Sequence, residues 1–189
     1  AYGGGSIKRN GVYDEVMGIL NAVGKRVVEF SGIMSNPTYA KVQEGAKLAW
    51  ASAMAENGVL KIGKVTDFQA HQIQHQLGAY TDCNHGAGLA VIHPVLYRHI
   101  YKSGTARFTR WAQNVWGIAP KGSDEETAAA GIDALAAFIK EIGLPTSFAE
   151  LGIPADTDFR AITDSTNVTA GCCKKLTRDE ICEILQECL

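Results

Sequence analysis

HQIQHQLGAYTDCNHGAGLAVIHPVLYRH, residues 71–99, holds all five histidines of a 189-residue chain. Phe68 to Gly78 and Ala87 to Tyr101 read as amphipathic helical windows, with a glycine-bearing loop between them that carries His85 into Gly86-Ala87-Gly88. Residues four apart on a helix share a face with Cβ atoms about 6 Å apart, so His71 and His75 are able to point into one cavity. Asp67, four residues earlier, extends that polar stripe, and the loop is long enough to fold His85 back beside it. Imidazole suits borderline divalent ions such as Fe²⁺ or Zn²⁺. The same pattern is also what a solvated helix face looks like, so spacing alone leaves both readings open. His93 and His99 read as structural or surface positions.

Composition narrows the classes. Eighteen basic and 20 acidic side chains give a formal charge of -2, which supplies no field for nucleic acid or an anionic membrane and favours a small-molecule partner. The apolar runs stop short of the roughly 18 residues needed to span a bilayer, and no basic-then-apolar leader opens the chain. Four of the five cysteines (Cys172, Cys173, Cys182, Cys188) crowd the last 18 residues without paired C-x-x-C knuckles. They read as free thiols in a reducing, cytoplasmic setting.

Working outward from the histidines, the flanks predict a mostly α protein. Residues 1 to about 47 read strand, helix, strand, helix. Tyr2 to Ser6 is a strand end, Asn10 to Gly24 a helix, Arg26 to Phe30 a strand, and Asn36-Pro37 opens the next helix. Beyond that the β signal disappears. Helical windows cover Thr38 to Glu56, Ala106 to Trp116, Ser123 to Ile142, Asp156 to Thr166 and Thr177 to Cys188. Ser123 with Glu126, and Thr177 with Glu180, match the capping box that satisfies helix-start amides reciprocally. Pro94 is expected in the first turn of its helix or at a kink. The expected organisation is an incomplete α/β piece, 1–47, followed by a helical domain, 48–189.

The His71-x3-His75-x9-His85 spacing, with Gly86-Ala87-Gly88-Leu89-Ala90 and His93-Pro94, resembles the signature of the iron-containing (group III) alcohol dehydrogenases, bacterial butanol dehydrogenase branch. The similarity continues through FTRWAQNVWGI (108–118), GIDALAAFIKEIG (131–143) and LPTSFAELGI (144–153), and it covers YGGGSIKRNGVYDEV at the front. This resemblance implies the all-helical C-terminal domain of that family, preceded by a partial nucleotide-binding piece. It also implies a divalent metal, iron or zinc, with His71 and His85 as ligands and His75 in the proton path near the nicotinamide. Gly3, Gly4, Gly5 and Ser6 would form the first nucleotide-contacting turn; a serine there tilts the cofactor towards NADP(H) without excluding NAD(H). The implied reaction interconverts a primary alcohol such as butanol with its aldehyde, in a homodimer.

Two family parts are not found in the chain. A second Gly-Gly-Gly-Ser loop is missing, and so is the upstream Asp-x3-His pair that supplies the remaining metal ligands. Around Gly45 to Trp50, text similar to the family's beginning runs straight into text that belongs much later. The alternative expectation is therefore a non-catalytic helical domain, or a truncated remnant, whose histidines are structural.

Overall fold

The structure, a computed structural model, describes residues 6–9, 11–23 and 39–189. The chain divides into two units, Ala1–Lys64 and Val65–Leu189. The expected 47/48 boundary falls inside a continuous helix, and the division comes after Lys64.

In the first unit α1 (Ser6–Arg9), α2 (Val12–Ala22) and α3 (Tyr39–Glu56) are followed by a 3₁₀ turn at Val59–Lys61. The helices expected from Asn10 and from Thr38 are present. None of the described side chains in this unit is buried, and Val16, Ile19 and Val23 of the α2 region are exposed. The expected strands at Tyr2 to Ser6 and Arg26 to Phe30 fall on residues outside the described ones, apart from Ser6, which opens α1. Among the described residues there is no β-strand.

The second unit is helical: α4 (Gln69–Thr81), α5 (His85–Ile100), a 3₁₀ turn (Tyr101–Gly104), α6 (Thr105–Trp116), α7 (Asp124–Glu141), α8 (Phe159–Ser165) and α9 (Arg178–Glu187). Both capping boxes form. The Ser123 and Thr177 hydroxyls accept from the amides of Glu126 and Glu180, whose carboxylates accept from the cap amides in return. One core joins Ile73 and Leu77 of α4, Ile92 and Leu96 of α5, Ile162 of α8, and Ile184 and Leu185 of α9 around Phe148. Phe148 is fully buried, meets the Phe159 ring at 5.8 Å in a tilted pair, and donates its amide to the Cys188 carbonyl at 2.6 Å. Helices α6 and α7 meet along a seam of small residues, where a Cβ on Gly131 would lie 2.7 Å from that of Ala112.

One expectation changes and one narrows. His85 does not sit on a loop: it is the first residue of α5. Asn84 caps that helix by accepting from the Ala87 amide at 3.1 Å, which offsets the poor helix propensity of Gly86 and Gly88. Pro94, expected in the first turn or at a kink, lies well inside α5, which leaves only the second of these places. There it has no N–H to give to Ala90, and the burial of Val91, Ile92 and Leu96 around it supplies the stability that this omission costs.

Candidate functional site

Helix α4 brings His71 and His75 to one side of the second unit, and the start of α5 brings His85 to the same place. The His71 and His85 ring centres are 5.4 Å apart and tilted by 58°. Two imidazoles sharing one ion at about 2 Å sit with ring centres about 5 Å apart. The pair therefore fits a divalent metal in kind and in separation. His75 lies 6.3 Å from His71 and 5.3 Å from His85, stacked on the latter. His75 and His85 are exposed, while His71 is half-buried with Phe68 against its ring at 4.8 Å. Among the described residues, no group of three or more His, Cys, Asp and Glu side chains is placed to hold a metal ion.

One polar contact holds His85, and a second set ties down the start of α4. Gln74, 2% exposed, accepts a hydrogen bond at Oε1 from His85 Nδ1. Asp67 is not part of the α4 face. It precedes the helix, where its carboxylate accepts from the amides of Gln69 (3.0 Å) and Cys172 (3.1 Å). Gln69 then ties the helix start to the C-terminal loop, donating to the Lys174 carbonyl at 2.9 Å and accepting from the Leu176 amide at 2.8 Å. Gly171, at φ +72°, is the left-handed position that lets this loop pass Gln69: a Cβ there would meet the Gln69 side chain at 2.5 Å.

The other two histidines separate. His99 pairs with Glu187 of α9 at 3.1 Å, at the far end of α5. His93 is placed 6.3 Å from His71 and donates Nδ1–H to the Leu89 carbonyl at 2.9 Å. Burial holds it below the ordinary imidazole value and the charge of His71 acts the same way, against the Leu89 bond and Asp67. Its neighbour Tyr97, 5.4 Å away, is pushed up by burial, then by the charges of Asp67 and Cys172.

Sequence reasoning did not single out Gln74, Tyr97 or Cys172. Tyr97, Phe108 and Trp111, with Asp67, Arg107 and Cys172, line a cavity of about 220 Å³. The signal for Gln74 is faint: an uncharged amide three residues after His71 and three before the buried Leu77. The proposed nucleotide-contacting residues Gly3, Gly4 and Gly5 lie outside the described residues, and Ser6 is the first residue of α1.

The chain is similar to several known proteins over most of its length. The model of the "Fe-containing alcohol dehydrogenase family, C-terminal" matches residues 20–189. NADH-dependent butanol dehydrogenase A of Clostridium acetobutylicum is 29% identical over 175 residues, which is 90% of this chain and 44% of that protein. NADH-dependent butanol dehydrogenase B of the same organism is 33% identical over 143 residues, 75% of this chain and 37% of its own length. The crystal structure of NADH-dependent butanol dehydrogenase A from Thermotoga maritima superposes with a TM-score of 0.69 at 32% identity, covering 76% of this chain and 38% of that one. The chain spans less than half the length of these relatives. With its helical second unit, its paired histidines and a match over most of its length, the chain belongs to the Fe-containing alcohol dehydrogenase family.

Proposed function

We propose that this chain carries half of the metal site and the proton-handling side chain of an iron-type, NAD(P)(H)-dependent alcohol dehydrogenase acting on a primary alcohol such as butanol and on its aldehyde. The observation that carries the reading is the 5.4 Å approach of His71 and His85 from two different helices in a chain of this family. When bound, a divalent iron or zinc ion supplies Lewis acidity to the alcohol oxygen, and a nicotinamide cofactor takes or gives the hydride. His71 and His85 hold that ion through ring nitrogens. His75, exposed and next to His85, takes the hydroxyl proton at a ring nitrogen and returns it to solvent. The relatives above are NADH-dependent by name, whereas Ser6 without an acidic neighbour tolerates a 2′-phosphate; both cofactors belong in the assay.

The test is metal content after loading with Fe²⁺ or Zn²⁺, followed by NADH and NADPH oxidation on butyraldehyde. His85→Ala is expected to lose most of its metal, while His75→Ala keeps metal and turns over more slowly. Equal metal loss in both variants would instead mean a chelate formed by His71 and His75. A second reading is a helical domain without catalysis, in which the histidines are structural. A loaded chain that holds no metal and oxidises neither cofactor would establish that reading.

A further inference from the structure

We propose that Gln74 is a positioning residue that fixes the tautomer of His85, holding the ring proton on Nδ1 and leaving Nε2 as the electron-pair donor. A neutral imidazole carries one ring proton, and the nitrogen facing an acceptor keeps it. The acceptor here is the Gln74 Oε1, and the amide is oriented by its other end, whose Nε2 lies 3.9 Å from Cys83 Sγ. An amide that is 2% exposed is expensive to bury without partners, and His85 and Cys83 are the partners it has.

The glycines around it make the room. A Cβ on Gly88 would meet Gln74 Cγ at 3.1 Å and Nε2 at 3.2 Å, and one on Gly78 would meet Nε2 at 3.4 Å. Gly88, one turn along α5 from His85, therefore serves the close passage of the Gln74 side chain. Histidines that ligate metals commonly donate their second ring nitrogen to a carbonyl or carboxylate, and losing that partner weakens metal binding about 10–100-fold. Gln74 gives His85 such a partner from the same helix that carries His71. The consequence for metal rests on the reading of His85 as a ligand; the consequence for the tautomer does not.

The experiment records long-range ¹H–¹⁵N spectra of the histidine rings in the metal-free full chain, at a pH where the rings are neutral. It then follows zinc titration at the His85 resonances. The wild-type His85 ring is expected as the Nδ1–H form. Gln74→Met, which keeps length and removes the acceptor, is expected to shift it towards Nε2–H and weaken zinc binding about 10–100-fold. Gln74→Glu restores both the tautomer and the affinity. Gln74→Leu serves as the second acceptor-free variant should the methionine chain not fold. A wild-type ring protonated on Nε2, or an acceptor-free variant with an unchanged tautomer, overturns the proposal. Unchanged zinc affinity in His85→Ala overturns the ligand reading instead and leaves the tautomer result standing.

Discussion

Two thiols illustrate how far single residues here are governed by what surrounds them. Burial pushes the Cys188 thiol up to about 12, with the Glu187 charge adding to it. Burial also pushes Cys172 to about 11, helped by Cys173 and Asp67. The thiolate is the reacting species, so both are expected to resist alkylation by iodoacetamide at pH 8, far below either value. Peptide mapping of native against denatured protein checks this: rapid native labelling of either cysteine would contradict the environment described for it. The sequence placed these cysteines among free thiols, and the cysteines are free. What it left illegible was the environment. The contact of Cys172 with Asp67 joins residues 105 positions apart, and local pattern carries no information over that distance.

Among the elements, those with complete local signals were the readable ones. The capping box of α9 is written within four residues, and the structure forms it. Thr177→Ala should cost about 1 kcal/mol, read from the shift in urea midpoint. The Lys174 ammonium, then the Thr177 backbone, hold the Glu180 carboxyl below its ordinary value. A depressed carboxylate stabilises the fold above its unfolded value, about 4.3, and that contribution is lost as pH falls through the lower folded value. Glu180→Gln should therefore show a shallower acid limb than wild type in pH-dependent unfolding. At the seam of α6 and α7, Gly131→Val would drive a side chain into Ala112, whose Cβ is already 2.7 Å from where a Cβ would stand. A loss of about 1–3 kcal/mol is expected, measured by the same urea series. Gly86 and Gly88 make the start of α5 look like a loop by propensity; the local Asn84 cap and the tertiary passage of Gln74 beside Gly88 override it.

For the molecule as a whole, the buried apolar cluster lies entirely within Val65–Leu189. That unit expressed alone should give a helical circular dichroism spectrum and a single cooperative urea transition; a non-cooperative profile would show that its core needs residues 1–64. The proposed metal ligands His71 and His85 are also inside this unit, whereas the glycines proposed to contact the nucleotide lie outside the described residues. The Gln69 clasp bears on how such a unit is made. It joins the first turn of α4 to Lys174 and Leu176, 105 and 107 residues further along the chain. Contacts of that sequence separation close late in folding, because the intervening loop must first lose its freedom. A ribosome releasing this chain from its N-terminus exposes His71 long before Leu176. The helix that carries His71 and His75 is thus clamped only once residue 176 has emerged, and the proposed metal site stays under assembly until then.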